Sequence, residues 1–168
     1  MAYTLPNFKD RYDGVAVTVK GRNPSSLTTL ADIGGCAIAL NQGGILATPI
    51  KLDISSSSTA DVAAGTGART ITIMGLGASA AYQEETVTLT GQTVVQSAKT
   101  WYRVFGAYVL TAGTGLTNAG DIYIVGTGLG GTYTSGVPGT FTIASACCKM
   151  LAGTSFGGTC FYTTPQHT

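Results

Sequence analysis

Apolar side chains recur at every second position along much of this chain, and no other feature constrains its fold as strongly. Val15, Val17 and Val19 alternate with Ala16, Thr18 and Lys20, and Ile50, Leu52 and Ile54 alternate with Lys51, Asp53 and Ser55. The same spacing returns in Ile71 and Ile73, in Val87 and Leu89, and in Ile122 and Ile124. A period of two puts one set of side chains on a single face of a strand, whereas an amphipathic helix needs a period of 3.6. The segments are therefore predicted as half-buried strands, with Val15, Val17, Val19, Leu52, Ile54, Ile71, Ile73, Val87, Leu89, Ile122 and Ile124 in one core. Residues 101–110 and 140–148 offer two more strands. Thr outnumbers Ser 27 to 11, which suits strands whose polar faces carry β-branched side chains.

Glycine-rich turns divide these strands: Gly65-Thr66-Gly67, Gly75-Leu76-Gly77, Gly113-Thr114-Gly115, Asn118-Ala119-Gly120 and residues 126–131. Short strands separated by such turns describe a β-sandwich or jelly roll rather than βαβ units. One short helix is predicted near residues 23–33, with Asn23 as N-cap, Pro24 at the first helical position and Gly34-Gly35 as its stop. The expected organisation is all-β: an irregular N-terminal arm with connecting loops over residues 1–50, then a single β-sandwich or jelly-roll-like domain over 51–168. Ala64-Gly-Thr-Gly and Ala112-Gly-Thr-Gly echo one another ahead of two predicted strands. Two copies are too few for a repeat protein, and shared turn chemistry accounts for them.

Charge narrows the partners. Nine basic and eight acidic side chains make up 10% of the chain, with a net charge of +1, where about a quarter is usual. After Val104 only Asp121 and Lys149 are charged. Either neutral polar side chains solvate this surface or other subunits cover it, so a symmetric homo-oligomer such as a trimer is expected. No cluster of Lys and Arg exists to displace phosphate counterions, which argues against nucleic acid as a partner. The apolar runs fall short of the roughly 20 residues of a membrane helix, and none near the N-terminus has signal-peptide length. No membrane association is expected, and synthesis in the cytoplasm is. Cys36, Cys147, Cys148 and Cys160 lack CxxC spacing and are expected to be reduced and buried. As strand neighbours, Cys147 and Cys148 should point to opposite faces and not share a core layer.

Motifs that resemble chemistry are incomplete. Gly126-Thr-Gly128-Leu-Gly130-Gly131 has the GxGxxG form, but helix-breaking residues and no later acidic residue follow it. Gly153-Thr-Ser155-Phe-Gly157 has the GxSxG form, yet only His167 is available as a base and no acid follows to orient it. A single histidine disfavours metal sites. Adjacent Glu84 and Glu85 face opposite sides of a strand, with Glu85 expected to pair with Arg69 or Arg103. No catalytic residue, cofactor or metal is expected. The predicted contacts are instead aromatic. Tyr3, Leu5, Phe8 and Tyr12 stand among Lys9, Asp10, Arg11 and Asp13 as an interface arm, whose 14 residues span about 45 Å when extended. Trp101, Tyr102, Phe105 and Tyr108 divide between core and subunit interface, or form a sugar-binding platform.

Residues 55–125 contain, in order, AAGTGART before a hydrophobic strand and GL, then EETVTL, then TAGTGLTNAGDI. As an ordered set these resemble a group of tailed-phage virion structural proteins. The resemblance implies a capsid decoration (cement), minor capsid or head-fibre protein on the capsid exterior, with the major capsid protein as partner and no catalytic residues. A carbohydrate- or receptor-binding module of a head fibre or spike, using Trp101 and the tyrosines, is the alternative.

Overall fold

The computed structural model describes residues 45–141 and 146–158. The strands are β1 (Ile45–Ile50), β2 (Leu52–Ser56), β3 (Ala68–Leu76), β4 (Tyr82–Thr88), β5 (Val95–Gln96), β6 (Trp101–Ala112), β7 (Ile122–Gly126), β8 (Tyr133–Thr134), β9 (Val137–Pro138), β10 (Ala146–Met150) and β11 (Phe156–Gly158). No helix interrupts them among the described residues. The fold is all-β, and every strand pairing is antiparallel. One sheet runs β1-β6-β3-β4, with β11 also on β6; the second runs β10-β7-β2-β5, and β8 with β9 forms a separate hairpin.

Alternation explains the core. Ile71 and Ile73 on β3, Val87 on β4 and Val104 and Ala107 on β6 join Leu52 and Ile54 on β2 and Ile122 and Ile124 on β7 in one buried cluster that also takes in Leu89. The intervening positions turn outward, most clearly on β4, where Tyr82, Glu84, Thr86 and Thr88 are exposed. Eight of the predicted core residues are thus buried, while Val15, Val17 and Val19 lie outside the described residues, as does the helix expected near 23–33. The sheet begins earlier than the predicted boundary at residue 51, because Ile45 and Ile50 of β1 already pair with Arg103 and Trp101.

The two adjacent cysteines depart from strict alternation. Cys147 and Cys148 both belong to the core cluster, because the β10–β7 register slips between Ala146 and Cys148. Such a bulge breaks the two-residue period locally. Burial pushes the Cys147 thiol up to about 12.

The strands give the molecule two unlike ends. At one, β2, β4, β6 and β10 finish while β3 and β7 begin; there the turns of residues 57–67, 113–121 and 151–155 meet. At the other, residues 77–81, 97–100 and 127–131 link the strands, and Lys51, Asp53, Glu84, Glu85 and Lys99 supply the charge.

Candidate interaction surface

The solvent face of the first sheet carries an aromatic strip. Register sets it: Thr86 of β4 lies beside Thr72 of β3, Thr72 beside Tyr108 of β6, and Tyr108 beside Phe156 of β11. Tyr82, at the start of β4, stacks on Phe105 with ring centroids 6.4 Å apart. Its hydroxyl donates to Glu84, and that bond, aided by burial and the nearby carboxylate charge, pushes the Tyr82 phenol up to about 12. The Arg103 guanidinium sits 6.0 Å from the Phe105 ring centroid. Tyr82 is 59% exposed, Phe156 46% and Leu110 51%, so a strip of apolar rings faces solvent on a chain that has few charges to screen it.

The predicted contact residues are placed unequally. Tyr3, Leu5, Phe8 and Tyr12 lie outside the described residues. Tyr102 is 38% exposed and Tyr108 half-buried, so both are accessible. Trp101 corrects the expectation: it is fully buried in the core, with no acceptor for its indole Nε1 among the described residues. A side chain with no exposed surface supports a platform from beneath and does not form one. Tyr82 and Phe156 were not singled out from sequence, although the strict alternation of β4 marks Tyr82 as outward-facing.

Two of the motifs that carry the resemblance, AAGTGART and TAGTGLTNAGDI, meet at one end of the sheets and are spent on structure, while EETVTL runs along β4 from the opposite end. Asp61, fully buried, accepts hydrogen bonds from the Ser56 hydroxyl (2.6 Å) and the backbone N–H groups of Ala68 (2.7 Å), Ala119 (2.8 Å) and Gly120 (2.9 Å). One carboxylate thereby ties β2, the start of β3 and the Asn118-Ala119-Gly120 turn. Buried Asn118 donates to the carbonyls of Gly120 and Leu151 and accepts from Ser155 N–H. The two echoing Ala-Gly-Thr-Gly segments lie side by side, since Gly113 N–H donates to Gly67 O and Gly115 N–H to Thr66 O, each at 2.8 Å. A Cβ at Gly113 would collide with Gly65 O, and one at Gly67 with the Asp61 carboxylate. Their glycines are required by this close approach.

The chemistry-like motifs are likewise committed to internal bonds. In the GxGxxG segment, Thr127 N–H donates to Lys51 O and Leu129 N–H to Gly126 O, while Gly128 N–H and the Thr127 hydroxyl turn to the Asp53 carboxylate. An acidic side chain thus occupies the side from which a phosphate would approach. The GxSxG segment turns from β10 into strand β11, not into a helix, and Ser155 N–H is bound by Asn118. Glu85 pairs with neither Arg69 nor Arg103: its carboxylate accepts from Ala98 N–H (2.6 Å) and Lys99 N–H (3.0 Å), and Arg69 Nε donates to Gly65 O. The sheet edge brings the 97–100 turn nearer to Glu85 than either arginine. Among the described residues, no group of three or more His, Cys, Asp or Glu could hold a metal ion. No protein-family model matches the chain, and no curated protein or solved structure does either.

Proposed function

We propose that the chain is a non-enzymatic structural protein of a tailed-phage virion, a symmetric homo-oligomer that binds the outer surface of the head and stabilises it. The aromatic strip of Tyr82, Phe105, Tyr108 and Phe156 carries the reading. Contiguous exposed apolar surface marks an interaction site, and aromatic rings are the side chains most enriched where proteins meet. The motif resemblance supplies the partner, the major capsid protein. A second reading, a carbohydrate- or receptor-binding module, draws on the same Tyr82–Phe105 stack beside Glu84, because sugar rings also lie on exposed aromatics. It loses Trp101, its best residue, to the core.

Purified heads lacking the protein, incubated with the chain and imaged by cryo-electron microscopy, test the first reading. Wild type should decorate the heads. Tyr82→Ser combined with Phe156→Ser should lower occupancy about tenfold or more at an unchanged melting temperature. Undecorated heads, together with a saturable glycan-array signal lost in the same double variant, would replace the first reading by the second.

A further inference from the structure

The hairpin of β8 and β9 pairs with neither larger sheet. Its central residues, Ser135 and Gly136, have φ of 49° and 77°, and Thr134 stands opposite Val137, which is the pattern of a two-residue type I′ turn. A lone two-stranded hairpin is marginal at best in water. The order of this one therefore comes from what it rests on.

It rests on the outer face of the second sheet. Along β7, Ile122 and Ile124 point into the core, so the alternate residues Tyr123 and Val125 point outward, yet they are only 8% and 0% exposed. Phe141, just beyond the hairpin, meets the Tyr123 ring edge-on with centroids 5.5 Å apart. Ser55 lies opposite Tyr123 across the β2–β7 ladder, and its buried hydroxyl donates to Gly136 O at 2.7 Å. The tip is seated so closely that a Cβ on Gly136 would collide with Ser56 O and lie 2.9 Å from the Gln92 Cα. Ser55 and Gly136 thus form a latch.

The seat beneath the rest of the hairpin is slight. Thr132, Thr134, Ser135, Val137 and Gly139 are exposed, Tyr133 is half-buried, and Gly136 and Pro138 are the buried positions. The Tyr133 hydroxyl packs on Gly130 and has no hydrogen-bond partner among the described residues. Opening removes that penalty, since an exposed hydroxyl turns to water. Segments with few buried contacts open at a lower free energy than the core they lie on.

We propose that residues 131–140 are a latched strap, which leaves the second sheet as one unit when the Ser55–Gly136 contact breaks and bares Tyr123 and Val125 while both sheets stay folded. The free protein keeps this face closed. The strap does not depend on the virion reading, and it lies on the other sheet from the aromatic strip.

Amide hydrogen exchange followed by NMR on the full chain tests it. The reporters are Gly139 N–H, bonded to Thr132 O, and Thr140 N–H, bonded to Gly130 O, with Leu89 N–H on Arg69 O as the reference in the core. The strap amides should exchange about a hundredfold faster than Leu89 or more. Ser55→Ala should speed them about tenfold further, because it removes the latch and leaves Gly136 O unpaired. Gly136→Ala should strip their protection altogether with Leu89 still protected, since a strap that can leave limits what the misfit costs the sheets. Equal rates for the strap and Leu89 overturn the proposal, because the hairpin would then unfold only with the sheets. Strap rates unchanged by Ser55→Ala overturn it too, as those amides would be fraying with the latch closed. Loss of Leu89 protection in Gly136→Ala has the same force, since it makes the hairpin part of the two-sheet unit.

Discussion

Where β3 begins and β6 ends, two buried polar side chains and a group of glycines hold the turns together, whereas at the opposite end exposed carboxylates cap the turns from outside. Asp61 and Asn118 sit in contact with backbone that only glycine allows to come so close. Glu85, by contrast, reaches the 97–100 turn from the rim of the sheet, and Lys99 Nζ returns to Glu84 O at 2.6 Å. A buried donor that loses its acceptor cannot turn to water, but an exposed one can. The first end is therefore brittle and the second forgiving. The AAGTGART and TAGTGLTNAGDI segments encode the brittle end, whereas Glu85 of EETVTL belongs to the forgiving one, so what the first two specify directly is a joint between strands.

Replacing Asp61 with Ala should have the largest effect. Four donors would be left unsatisfied, and the loss is expected to be on the order of 4 kcal/mol, a large part of the about 5–15 kcal/mol that holds a domain folded. Denaturant unfolding measures it, and a cost no greater than that of Glu85→Ala would erase the distinction between the ends. Next comes Gly113→Ala, whose new methyl meets Gly65 O and Thr66 backbone; overpacking of this kind costs about 1–3 kcal/mol. Glu85→Ala should cost about 1 kcal/mol, since the freed N–H groups of Ala98 and Lys99 are exposed to water.

The smallest effect sharpens the comparison through pH. Burial alone would raise the Asp121 carboxyl, but its hydrogen bond and 2.9 Å ion pair with Lys149, together with Ala152 N–H, hold it below the usual carboxylate range. Its folded pKa lies below its unfolded value of about 4, so the stabilisation is present above that value and is lost as pH falls through the folded pKa. Burial likewise opposes the Lys149 charge, yet the Asp121 bond wins and raises its pKa. The lysine contribution is present below about 10.4 and is lost as pH rises through the folded value. Each is worth about 1 kcal/mol at most, because the pair is a quarter exposed. Asp121→Asn should flatten the acid limb of a melting-temperature profile.

The strands and most of the core were legible because alternation is a direct image of the pleat. The run from Trp101 to Leu110 was legible as a strand but not in its faces, since β6 changes register against β3 between Met74 and Gly75 and its apolar residues do not alternate. That is why Trp101 was expected on a surface. Cys147 and Cys148 are both buried, as expected, but the expectation that they face opposite sides failed for the same reason, a bulge without a sequence mark. Asp61 was overlooked because a lone acid after four serines reads as a solvated loop; only the donors brought from Ala68, Ala119 and Gly120 make it structural. Tyr82 meets Phe105, and Phe156 lies beside Tyr108, across strands distant in the chain, proximities that local pattern does not contain.

Strand β6 takes β3 along one edge, and along the other it takes β1 over its first residues and β11 over its middle. None of these partners is adjacent to β6 in the chain, so loop-closure entropy is lost before the contacts that compensate for it form. Folding is then expected on the millisecond-to-second scale of non-local β topologies. Trp101, the only tryptophan in the chain, stands opposite Ile50 where β1 joins. Its fluorescence will shift to the blue as that strand closes, and stopped-flow mixing can time the arrival of β1 without a label.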